Sequence, residues 1–292
     1  MEMVLSQTTW CTLKFGDIKS IELIAQAGFD AVDYCMSGLF QKDGKLKTDE
    51  YKDYAALLVE TAKNNGVYFN QGHAVFQIPD SAADGHKALI DINKRAIEVA
   101  SLMGMKTLVI HPVSLGQYIG REDIVFEENM KYFQALLPCA EKYGVKLACE
   151  NAWCWDDRIK IIRGSVCANP FEHAKYVDEM NSEMFVACLD VGHCSLSGRE
   201  AQDCIRVLGD RLQALHIHDN DYRDDMHTLP GLCEMNWEEI TKALADIKYK
   251  GDFTLETDRF FDSLETEEET GLGLKLSELI GRKLIRKIES NS

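Results

Sequence analysis

Eight times along this chain of 292 residues, a short β-type apolar run is followed by a longer stretch with helical spacing. The runs lie near 3–9, 30–35, 67–73, 106–111, 145–150, 185–190, 212–218 and 252–257. Gly precedes several of them, in AGFDAVD, NNGVYF, MGMKTL, YGVKL and YKGDFTL, as a helix C-cap would. Eight strand–helix units predict an α/β protein, a closed (β/α)8 TIM barrel, with residues 1–292 as a single domain. Barrels of ~250 residues or more commonly form one unit.

The apolar runs end in polar residues able to bind a metal. VYFNQGH reaches His73, TLVIHP His111, KLACEN Glu150, FVACLDVGH Asp190 and His193, LQALHIHDN His216 and His218, and DFTLETD Glu256. A parallel barrel gathers the C-terminal ends of its strands at one mouth, where its active sites are built. Glu150, Asp190, His216 and Glu256 end four successive strands and are expected to approach one axial point. Carboxylates and imidazoles of this kind suit a hard or borderline divalent cation with coordination positions left for substrate oxygens.

Charge narrows the partners. With 32 Lys and Arg against 48 Asp and Glu, the net charge is -16, which disfavours a phosphate backbone or an anionic membrane surface. A small neutral substrate and a cation suit it better, and a homo-oligomer is compatible with it. Ten cysteines are scattered without a CxxC pair, several inside apolar strands, so reduced and mostly buried thiols are expected. MEMVLSQTTW lacks a basic, apolar leader and no stretch is long enough to span a bilayer. A cytoplasmic location is the expectation.

Smaller features fill in the frame. Asn236 with Glu239 reads as a capping box, and Asp17 as a cap of the first helix. The acidic run from Glu265 to Glu269 reads as a solvated loop or helix start. Leu272, Leu276, Leu279 and Leu284 are placed on the last helix as the face that closes the outer ring. His86 and His173, on amphipathic helices, are expected to face solvent, Trp237 to be core, and Gly192 to permit a close backbone approach.

The strings HPV at 111, CEN at 149, LDVGH at 189, LHIHDND at 215, His227 to Gly231 as H-x-x-P-G, and LETD at 255 resemble the xylose-isomerase-like barrel superfamily over nearly the whole chain. That group includes sugar isomerases and epimerases, dehydratases and type IV apurinic endonucleases. The resemblance to ketose 3-epimerases implies Glu150, Asp190, His216 and Glu256 as ligands of manganese, magnesium, cobalt or zinc, with Glu150 and Glu256 also as the acid/base pair. It implies His193 as a substrate contact, with Arg223 a second anchor. Proton transfer beside a carbonyl needs a base on one face of the carbon, an acid on the other, and a cation for the enediolate.

The endonuclease branch is resembled too. Its three-zinc pattern finds matches at His73, His111, Glu150, Asp190, His193, His216, Asp225, His227 and Glu256, so further metals at His73, His111, His193, Asp225 and His227 remain open. His73 and His111 could equally contact substrate, and Trp10 and Trp153 could offer an apolar face to a sugar ring. The reading is a divalent-metal-dependent isomerase or epimerase of a small sugar, sugar phosphate or polyol-derived ketone. Its alternatives are a dehydratase or lyase of related keto-polyols and a zinc nuclease on abasic DNA. Absence of a basic tract favours the small substrate, with Arg158, Arg163 and Arg223 as the few arginines near the rim.

Overall fold

A computed structural model of the chain describes residues 3–39, 41, 43–76, 85–116 and 118–291. Eight parallel strands form the sheet: β1 (Leu5–Thr8), β2 (Ala31–Cys35), β3 (Tyr68–His73), β4 (Thr107–Ile110), β5 (Lys146–Glu150), β8 (Phe185–Asp190), β9 (Leu212–His216) and β10 (Phe253–Leu255). The order β10-β1-β2-β3-β4-β5-β8-β9 is closed by a parallel bridge between Ile217 and Leu255. The eightfold alternation in the sequence therefore is a TIM barrel.

Around it lie α1 (Asp17–Ala27), α2 (Tyr51–Asn64), α3 (Gly85–Leu102), α4 (Glu122–Tyr143), α5 (Pro170–Met180), α7 (Ala201–Leu208), α8 (Trp237–Asp246) and α9 (Glu267–Ser290). The short α6 (Val191–Leu196) continues directly from β8. None of the described helices is long and apolar enough to cross a membrane. Gly28 after α1 and Gly144 after α4 take the left-handed conformation, as the glycines before β2 and β5 predicted.

The strand pleat divides the core. Side chains alternate between faces, so Val109, Ala148, Val186, Cys188 and Ala214 form a small cluster of their own inside the barrel. The larger core joins the outer strand faces to the helices, with Leu147, Cys149, Leu189 and Leu215 among its members.

Several expectations change. Between β5 and α5 the chain inserts an antiparallel hairpin, β6 (Trp153–Asp156) with β7 (Ile161–Gly164). It carries Trp153, Arg158 and Arg163, the last two both bound to Asp156. Leu272, Leu276 and Leu279 are exposed, while Leu284 is buried. The inner face of α9 is instead Thr270, Gly273, Leu274, Ser277, Glu278, Gly281, Leu284, Ile285 and Ile288, because small residues let the helix approach the barrel. Gly16, not Asp17, occupies the N-cap of α1, and the Asp17 carboxylate accepts from the hydroxyls of Tyr34 and Tyr54. Asn236 caps α8 through the Glu239 N–H; the reciprocal box occurs at Thr266 and Glu269, where the acidic run opens α9. His86 is exposed, but His173 is fully buried, because α5 packs against β8 and the imidazole reaches the Cys149 carbonyl of neighbouring β5.

Candidate metal centre

Alternation along each strand aims every second residue at the barrel axis. After Ala148 comes Glu150, after Cys188 comes Asp190, after Ala214 comes His216, and after Thr254 comes Glu256. All four strand-end residues are buried. Small side chains below them leave room for their heads to converge.

A first group surrounds Glu150. Its Oε1 lies 2.8 Å from His216 Nδ1, and Glu256 Oε2 lies 3.2 Å from that same nitrogen. Glu150 Oε2 is 2.8 Å from His111 Nε2 and 3.6 Å from His73 Nε2, yet has no aligned hydrogen-bond donor among the described residues. The two Nε2 atoms are 3.1 Å apart, and the His73 Nδ1 is turned to the Ala74 carbonyl at 3.0 Å. A buried carboxylate oxygen among imidazole nitrogens, unaligned with any N–H, fits a cation site.

A second group surrounds Asp190. The Asp190 carboxylate caps α6 by accepting from the His193 N–H at 2.8 Å, and His218 Nε2 lies 2.9 Å from its Oδ1. Gly192 makes room for that imidazole: a Cβ there would meet His218 Cε1 at 2.0 Å. His193 Nδ1 is 2.9 Å from the Asn151 carbonyl, leaving Nε2 3.8 Å from both Asp190 and Asp225. His227 Nε2 is 3.2 Å from Asp225 Oδ1, and its ring stacks on His218 at 3.9 Å. Thus Glu150, His216 and Glu256 meet on one imidazole nitrogen, while Asp190 is held by His193 and His218 beside them.

Opposed environments set the charges. Burial works against ionising Glu150, but His216 and His111 hold its carboxyl well below the usual carboxylate range. Burial raises Glu256, and His216 and His227 only partly offset it. His193, despite burial, is pushed up to about 10 by Asp190 and Asp225. Two neighbouring carboxyls with divergent proton affinities suit complementary acid and base roles.

The groups open into a cavity of ≈ 470 Å³ whose walls include Trp10, Phe76, His111, Trp153, His193 and Glu256, large enough for a monosaccharide. Trp10 packs edge-on against His73 at 6.0 Å, and Trp153 donates to Asp225 at 3.1 Å. Arg223 is exposed and does not line this cavity, whereas Arg259 does. Sequence reasoning also missed Asp33, fully buried in β2, whose Oδ2 lies 3.3 Å from His216 Nε2 and accepts from Gln71 at 2.6 Å. A carboxylate inside AVDYC, an otherwise apolar strand, was the available signal.

The family model described as the xylose isomerase-like TIM barrel matches residues 21–276. Inosose isomerase of Bacillus licheniformis is 25% identical over 242 residues, 79% of this chain and 80% of that protein. The crystal structure of a D-tagatose 3-epimerase-like protein superposes with a TM-score of 0.78 at 20% identity, covering 99% of each chain. That of the IOLI protein with a binding zinc atom gives a TM-score of 0.70 at 18% identity, again over 99% of each.

Proposed function

The chain belongs to the xylose isomerase-like TIM barrel family, and from that membership and the geometry of the pocket we propose that it isomerises or epimerises a small sugar or polyol-derived ketone with a divalent cation. The observation that carries this reading is the pair Glu150 and Glu256, both buried, both on His216 Nδ1, with opposed proton affinities. Glu150, His216 and Glu256, with Asp190 alongside, would hold the cation. Manganese, magnesium, cobalt or zinc bound there would stabilise negative charge developing on a substrate oxygen.

The protein's own groups do the rest. Glu150, ionised, is suited to accept a proton from the carbon beside the carbonyl. Glu256, whose proton is retained to higher pH, is suited to return one. Asp33 orients His216 through its Nε2. His193 presents an Nε2–H to a substrate hydroxyl, and the walls supplied by Trp10 and Trp153 exclude water while packing on apolar C–H edges. The nearness of inosose isomerase and of a tagatose epimerase-like fold supports this substrate class.

The test is a panel of ketoses and inososes in deuterated water, with the chelator-treated protein and each divalent ion restored. Metal-dependent exchange of a substrate C–H for deuterium is expected. Its absence across the panel, together with net loss of water from a substrate, would move the reaction to a dehydratase.

The cluster of His193, Asp225 and His227 favours a second reading, a multi-metal phosphodiesterase on abasic DNA. A net charge of -16 opposes it, since duplex binding depends on neutralising phosphates. Salt-sensitive binding to an abasic duplex with strand incision would establish that reading in place of the first.

A further inference from the structure

Behind β5, on the face opposite Glu150, three buried side chains meet away from the cavity. Cys149 and His173 are fully buried and Cys167 nearly so. The Cys149 and Cys167 sulfurs are 3.6 Å apart. A nitrogen of His173 lies within 4.8 Å of both.

The imidazole is the informative partner. His173 Nε2 is 2.8 Å from the Cys149 carbonyl oxygen, so Nε2 carries the proton and donates it, and Nδ1 keeps its lone pair. That Nδ1 has no hydrogen-bond partner among the described residues, and neither does the buried Tyr176 hydroxyl in the same layer. A buried acceptor without a donor is destabilising, and ligation would remove that penalty. The backbone is already set for it: Cys167 holds φ 61°, where cysteine is uncommon, with its N–H donating to Glu172 at 3.0 Å. Glu172 in turn accepts from Tyr118.

We propose that Cys149, Cys167 and His173 form a soft-metal site, distinct from the carboxylate and imidazole groups at the barrel mouth, that takes zinc or another thiophilic cation through two thiolates and one imidazole. Two sulfurs sharing a tetrahedral zinc at ~2.3 Å each are about 3.8 Å apart, close to the separation seen, whereas a disulfide requires about 2.05 Å. Binding displaces the two thiol protons to solvent, and no electron changes hands. The site would tie the end of β5, and with it Glu150, to the loop entering α5, giving it a structural role. It stands whether or not the proposed reaction is correct.

Cobalt(II) titration of the reduced, chelator-treated protein tests this, because sulfur-to-cobalt charge-transfer absorption reports thiolate ligation and oxygen or nitrogen ligands do not give it. The band is expected in the unaltered protein and in Cys188→Ser, which removes the thiol facing the barrel mouth, and is expected to vanish in Cys167→Ser. His173→Gln keeps both thiols, and there the titration should shift to higher cobalt concentration. No charge-transfer band in the unaltered protein would overturn the site. So would a band lost in Cys188→Ser and retained in Cys167→Ser, or peptide mapping of freshly purified protein that finds Cys149 and Cys167 joined as a disulfide.

Discussion

His216 Nδ1 stands 2.8 Å from Glu150 Oε1, across an intervening strand, because β5 and β9 both flank β8 and all three direct alternate residues inward. Burial alone would discharge both groups. Instead His216 is raised well above its ordinary value despite burial, by Glu256 and Glu150, while His216 and His111 hold Glu150 low. The pocket therefore sets two glutamates of opposed proton affinity against a shared imidazole.

Replacing Glu150 or Glu256 with Gln removes a proton-transfer group while keeping the side chain's shape. Each variant should lose about 10²–10⁴-fold in turnover with a smaller change in substrate affinity. Steady-state kinetics on the substrate identified by the panel, with binding measured calorimetrically, separates the two effects. A variant with near-normal turnover removes that glutamate from the mechanism.

Asp33→Asn leaves β2 intact but weakens the acceptor that orients His216 through Nε2. Affinity for the divalent cation should fall roughly 10–100-fold, read by competition with a fluorescent chelator. Extra metal should restore most of the turnover. If metal affinity is unchanged, Asp33 serves Gln71 and the barrel floor rather than His216.

Gly192→Ala forces a methyl group into His218, whose ring atoms lie 2.0–2.6 Å from where the Cβ would be. Relief requires moving the imidazole off Asp190 or shifting the start of α6. The expected cost is about 1–3 kcal/mol, seen as a lower urea midpoint, together with loss of activity. An unchanged midpoint would show that α6 yields freely.

Asp30 supplies a pH dependence remote from the site. Burial raises its pKa, but the Arg282 side chain and the Leu5 N–H lower it below the ordinary 3.8; Arg282 grips it with two bonds of 2.7 Å. The folded value lies below the unfolded one, so this contribution is fully present above the unfolded value and is lost as pH falls through the folded value. The half-exposed pair is worth about 1 kcal/mol or less. Asp30→Asn should lower the melting temperature slightly at neutral pH and flatten its decline below pH 3.8. Parallel acid limbs for the two proteins would count against this clamp.

The barrel was legible in the sequence because strand and helix periods are local and eight repeats leave one closed solution. Glu150, Asp190, His216 and Glu256 were legible as strand-end residues for the same reason: a period of two decides which residue faces the axis. Their grouping was not. Whether Asp190 turns to Glu150 or to His218 depends on α6 beginning directly at β8 and on Gly192 admitting an imidazole, both contacts between distant segments. Asp33 carries no motif, and its role appears only when β2 and β9 face each other across the barrel. His173 shows the limit most plainly. Helical spacing alone placed it on a solvated face, and the packing of α5 on the sheet at β8 buried it beside two thiols, because which face of an amphipathic helix turns inward is decided by the layer it meets.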